Sequence, residues 1–190
     1  MSFTDDADEA AAARLGVPVA AIKAVAEVEA GGATHWNIAG ALRPPVRLEA
    51  HWFGKLTGYR FNAGHPAISC TRWTPGLAAS TWAGACAQVE VACGLDEDAA
   101  LQATSWGAFQ IMGFHWKTLG YASVQEMVAA MNTAGGQLDA FVRFVEADTV
   151  LVDALRRRDW HAFAGRYNGP GQVDHYAGRI AQAYARHGGE

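Results

Sequence analysis

The segment Ala-Val-Ala-Glu-Val-Glu at residues 24–29 puts two glutamates near the end of one apolar run, and they are not equivalent. At about 100° per residue, Ile22, Val25, Ala26 and Glu29 fall on one stripe, the i, i+3, i+4, i+7 pattern of a buried helix face. Glu27 points elsewhere, toward Lys23, where an i, i+4 pair would leave it solvated. Glu29 therefore continues an apolar face at the last turn of its helix. Desolvation and the negative end of the helix dipole both disfavour its charged form, so its pKa is expected to rise. A carboxyl that keeps its proton near neutral pH suits general acid catalysis. The alternative is a glutamate that snorkels to solvent or meets a buried arginine.

A proton donor to a leaving oxygen usually works with a second acidic group across the scissile bond. Between Glu29 and Glu90 the sequence offers one carboxylate, Glu49. It sits at the start of a helix predicted over 48–57, where the dipole favours ionisation. A lowered pKa there beside a raised one at Glu29 would split the pair into base and acid. An ordinary first-turn glutamate is the competing reading. His51 is close enough to orient Glu49 or touch a substrate, or is simply a partly buried histidine.

Two glycine-rich segments add polar groups. Ser-Trp-Gly-Ala-Phe-Gln-Ile-Met-Gly at residues 105–113 reads as a loop in which Gly107 and Gly113 permit close backbone approach. Gln110 offers a donor and an acceptor there, and the aromatic faces could stack on sugars. Tyr-Asn-Gly-Pro-Gly at residues 167–171 holds a phenol and an amide in a tight turn. A core-capping loop and a plain interhelical turn are the respective alternatives.

The elements that must position these groups are mostly helical. Thr4 is placed to cap a short helix ending at Gly16, and Pro18 to start a second, stopped near Ala30 by Gly31-Gly32. A small hairpin is expected within 31–46, around Trp36-Asn37-Ile38, and a long loop over 58–75. Helices are expected over about 76–92 and from Asp96. A capping box, Ser123-Val-Gln-Glu126, opens another. Two or three more follow between 137 and 163, with Asp148 and Asp159 as caps, and an amphipathic helix over 172–186 closes the chain.

Composition narrows the classes. The chain has 190 residues, 51% hydrophobic and 18% charged, with 15 Lys+Arg against 19 Asp+Glu. That is too apolar and too nearly neutral for disorder, and a chain this long buries a core without staples. The net charge of −4 is uneven: residues 30–89 carry Arg43, Arg47, Lys55, Arg60 and Arg72 against Glu49. This block is expected to line a basic cleft, with the acidic helices facing away. A pI of about 5.9 gives little support for nucleic-acid binding. Cys70, Cys86 and Cys93 have no zinc spacing and read as small core thiols; no metal or other cofactor is expected. The acidic start does not resemble a secretory signal, and no apolar run approaches the ~20 residues of a membrane span.

The segments around Glu29, Leu48-Glu49-Ala-His51, the 105–113 loop and the 167–171 turn occur in the order of one family. The chain resembles the N-acetylmuramidases of phage endolysins, in the lysozyme-like superfamily that also holds goose-type lysozymes and soluble lytic transglycosylases. The resemblance covers about 17–186. It implies a mainly α (α+β) fold: a lysozyme-like helical domain with a small β-hairpin and a two-lobe cleft. It implies peptidoglycan glycan strands as substrate, cut at the β-1,4 bond between N-acetylmuramic acid and N-acetylglucosamine. Glu29 matches the family's catalytic glutamate and Glu49 a glutamate in the following Glu-x-His segment. Gln110 and Tyr167 match cleft-lining groups. With His51, Ser105, Phe109 and Asn168 they make the expected substrate-binding set.

Two departures stand out: Ala30 follows the catalytic position where the family often has Ser, and 190 residues leave no room for the wall-binding module that many members carry. The expectation is one catalytic domain over 1–190, monomeric, made in the host cytoplasm and acting on the wall after holin-type release. A lytic transglycosylase leaving 1,6-anhydro ends, or a non-catalytic wall-binding module of the same fold, are the alternatives. A zinc amidase or Cys/His peptidase is disfavoured by the ligand spacing.

Overall fold

The Thr4 hydroxyl accepts a hydrogen bond from the Ala7 amide and opens α1 (Asp5–Leu15), which Gly16 ends at φ 69°. Pro18 precedes α2 (Val19–Ala30), and Gly31 closes it in the left-handed region at φ 66°. The structure is a computed structural model and describes residues 3–189. α2 is more buried than one apolar stripe implies: Ala20, Ala21, Ala24 and Val28 are buried along with Ile22, Val25 and Ala26. It runs through the interior between α1 and α10 (Val173–Arg186).

That surrounding redirects two charges. Glu27 does not pair with Lys23; it takes Arg186 and, at 2.8 Å, His187 Nε2. The Arg186 hydrogen bond outweighs desolvation and lowers the Glu27 pKa. Lys23 turns instead to Asp5 at 3.4 Å and Asp8 at 3.5 Å on α1. Neighbouring helices on both sides of α2 supply partners that a single-helix view of i, i+4 pairing omits.

The expected hairpin is present. β1 (Trp36–Ile38) and β2 (Ala41–Arg43) pair antiparallel around Ala39-Gly40, both at positive φ, as a two-residue hairpin turn requires. A second sheet was not expected. β3 (Val46–Leu48), β4 (Thr104–Trp106) and β5 (Ile111–Met112) form an antiparallel sheet in that order, so residues 105–113 are a hairpin rather than a loop. Its strands are two or three residues long and β4 is buried throughout, which leaves no alternation to read.

Because Leu48 pairs with Thr104, α3 begins only at Ala50 (Ala50–Leu56), with Glu49 at its N-cap position. Similarly, Thr81 caps α4 (Trp82–Leu95), which starts later than the 76 expected. α5 (Glu97–Gln102) follows the Asp96 cap, and a 3₁₀ turn spans Gly113–His115. Ser123 caps α6 (Val124–Ala130). The region 137–163 resolves into α7 (Ala134–Glu146), α8 (Thr149–Arg157) and α9 (Trp160–Tyr167), the last two capped by Asp148 and Asp159 as expected. Phe53, Phe109, Phe141, Phe163 and Ile180 sit fully inside the core, and Cys86 is buried in it. The fold is mainly helical with a small β-hairpin, as expected, and carries the second small antiparallel sheet besides.

Candidate active site

Glu29 lies in the last turn of α2, at the floor of a cleft of about 360 Å³. The cleft is bounded by β1, β3, the 78–82 segment, α4 and Gln110. Glu29 itself is half-buried. Burial raises its pKa, against the lowering influences of an Asn168 hydrogen bond and the charges of Arg179 and Arg47. The desolvation expected for Glu29 is therefore present.

Asn168 ends α9 and donates from Nδ2 to Glu29 Oε1 at 2.8 Å. Its own Oδ1 is buried with no partner among the described residues. The amide thus offers a donor to an ionised Glu29 and, turned over, an acceptor to a protonated one. Tyr167 donates its hydroxyl to the Phe109 carbonyl at 2.6 Å. Burial, reinforced by the Glu29 charge, holds its pKa well above the ordinary tyrosine value. It is a neutral strut tying α9 to the 107–110 turn rather than a titrating group.

Gln110 borders the Glu29 cleft at φ 49°, a left-handed conformation that costs a non-glycine residue. Its amide is committed internally: Oε1 accepts from the Ser105 hydroxyl and Nε2 donates to the Gly107 carbonyl, each at 2.9 Å. These bonds hold the turn. Ser105 is 5% and Phe109 1% exposed. The Phe109 ring stacks on Phe141 with centroids 4.1 Å apart. Both side chains brace the turn from inside the fold: Ser105 belongs to β4, which is buried throughout, and Phe109 packs into the core. Trp106 is also internal, donating to the Leu101 carbonyl.

Glu49 is in an adjoining pocket of about 30 Å³ with His51 and Trp73. Arg47 borders both spaces. It is the outward residue of β3, between buried Val46 and Leu48, and its Nε lies 3.1 Å from Glu49 Oε1. His51 Nδ1 is 3.6 Å from the other carboxylate oxygen. The Glu49 side chain makes no capping bond to α3; Arg47 and His51 are its partners instead.

Of the expected basic block, Arg47 borders the Glu29 cleft. Arg43 pairs with Glu90 at 3.4 Å, Arg60 pairs with Asp96, and Lys55 lies over the Trp52 ring. The acidic residues expected to face away thus neutralise part of the basic block. Sequence reasoning also missed the cleft aromatics, since Trp36 and Trp82 rather than the 105–113 aromatics line the Glu29 cleft. The Val-Arg-Leu alternation directly before Glu49 was the available signal for Arg47. Among the described residues, no three His, Cys, Asp or Glu side chains gather to hold a metal ion.

A family model described as N-acetylmuramidase matches residues 18–188. The chain is similar to the crystal structure of Burkholderia AP3 phage endolysin, with 40% identity and a TM-score of 0.82 over 98% of this chain and 72% of that one. No curated protein matches it.

Proposed function

The chain belongs to the N-acetylmuramidase family, and from that premise we propose that it hydrolyses the β-1,4 bond between N-acetylmuramic acid and N-acetylglucosamine, with Glu29 as general acid. Membership carries the coarse activity, degradation of peptidoglycan. What supports the finer assignment is one observation: a carboxyl at the floor of the cleft whose surroundings favour its protonated form. Such a group donates a proton to the glycosidic oxygen as the bond to the muramic acid carbon breaks. Asn168 accommodates the acid before and after transfer. Glu49, held by Arg47 and His51, stabilises the developing oxocarbenium charge or activates water.

Gln110 and Tyr167 serve the site by fixing the turn beside it. We further propose that the chain works as a monomeric catalytic domain, made in the host cytoplasm and reaching the wall after holin-type release. Among the described residues no helix is long and apolar enough to cross a membrane.

A lytic transglycosylase is the second reading, because Glu49 lines a pocket separate from that of Glu29. In that reaction Glu29 serves as acid and then base, and the muramic acid's own hydroxyl attacks. Removal of Glu49 separates the two: Glu49→Gln should slow a hydrolase about 10²-fold or more, by analogy with loss of a general base, and leave a transglycosylase near wild-type rate.

Arg47 provides a pH test. Its charge lowers the Glu29 pKa, so Arg47→Gln should raise it and keep the acid protonated to higher pH. The alkaline limb of the kcat/KM profile should move upward, while its maximum falls because Glu49 loses a partner. A limb that stays in place in initial-rate measurements across pH would remove Glu29 as the titrating acid.

A further inference from the structure

Trp82 is 57% exposed although it begins a well-capped helix, α4. Its ring lies flat on Trp36 of β1, with centroids 5.0 Å apart and planes only 2° from parallel. Trp36 is half-buried and packs against the core. An anchored indole therefore fixes the orientation of an exposed one, and the Trp82 surface left open to water gains little for folding. Two hollows meet at this residue: the Glu29 cleft and a space of about 500 Å³ beside the hairpin turn, bordered by Asn37 and Ala39. Ser80 and Thr81, the two hydroxyl residues just before Trp82, border both hollows.

We propose that the Trp36–Trp82 stack is a sugar platform on which one hexosamine ring of the glycan lies, beside the bond that Glu29 protonates. The proposal rests on the muramidase reading and adds the residues that hold the strand. A pyranose ring in the glucosamine series has apolar C–H faces and a polar rim. Its C–H groups, polarised by the ring substituents, suit the electron-rich face of indole. Its rim hydroxyls suit the Ser80 and Thr81 side chains. Thr81 Oγ1 already accepts the Gly84 amide in capping α4, yet it retains its proton to donate. The stack also limits the rotamer freedom that ligand binding would otherwise remove from Trp82, which favours affinity through preorganisation. The strand then runs from the hollow beside the hairpin, across Trp82, past Glu29 to Arg47 and the Glu49 pocket.

Binding by a Glu29→Gln protein, which retains the cleft without its acid, tests the platform. Calorimetric titration with peptide-free glycan strands and with chitotetraose should show affinity about tenfold weaker or worse when Trp82→Ala is added. Trp82→Phe should recover most of it, and the melting temperatures should agree because Trp82 is largely exposed. In the active protein, Trp82→Ala should raise KM and leave the pH profile in place. Equal affinity with and without Trp82 overturns the platform and leaves the muramidase reading standing. Failure of the wild-type protein to release reducing ends from purified peptidoglycan overturns that reading itself.

Discussion

Glu29→Gln is expected to lower glycan hydrolysis by about 10²- to 10⁴-fold, the usual contribution of a positioned general acid, while leaving the folded protein as stable or more stable. The stability half follows from the sign of the shift. Burial raises the Glu29 pKa above its unfolded value, so the folded state prefers the proton. Its favourable contribution is complete at low pH and is lost as pH rises through the folded pKa. Glutamine never ionises, and its side-chain oxygen can still accept from Asn168. The variant's melting temperature should therefore match wild type in acid, pull ahead as pH rises through the folded Glu29 pKa, and keep a constant lead above it. Parallel thermal melts and turbidity assays across pH check both halves. A variant that loses activity together with stability would point to a structural role for Glu29.

The second large effect concerns the hairpin beside the cleft. Gly113 follows β5, where a Cβ would lie 2.0 Å from the Leu101 carbonyl oxygen and 2.9 Å from its carbon. Both are backbone atoms at the end of α5, so no side-chain rotation relieves the clash. Gly113→Ala should cost about 2–3 kcal/mol, at the upper end of overpacking effects. For a chain of this size that corresponds to a fall of roughly 5–10 °C in melting temperature. Activity should fall with it, because Ser105 and Gln110 belong to the same hairpin. Gly178 is the opposite case: it is exposed within α10, and a Cβ there would meet nothing within 4 Å. Gly178→Ala should stabilise by up to about 1 kcal/mol through helix propensity alone. Chemical denaturation of the two variants distinguishes crowding at Gly113 from a general response to alanine.

What could be read ahead of the structure depended on the range over which each residue acts. The Thr4, Ser123, Asp148 and Asp159 caps are local hydrogen bonds, and each was legible from its own neighbourhood. The hairpin within 31–46 was legible because its two strands are adjacent in the chain; its turn falls at Ala39-Gly40. The β3-β4-β5 sheet was not, since Arg47 pairs with Ser105, far along the chain, and β4 is buried throughout. Glu29 was found through periodicity, but much of its environment comes from Asn168, Arg179 and Arg47, which no helical spacing brings together. The burial of Phe109 was equally hidden, because its stacking partner Phe141 lies on α7, far along the chain. Charge blocks misled for the same reason, because Arg43 and Arg60 meet acids distant in sequence.

Mass analysis of the sugar ends released from purified peptidoglycan, by wild type and by Glu29→Gln side by side, tests the central claim most directly. The proposed chemistry predicts reducing N-acetylmuramic acid ends carrying oxygen from solvent water in the wild-type digest, and almost none from the variant. Anhydro-muramic ends alone, or equal release by both proteins, would contradict it.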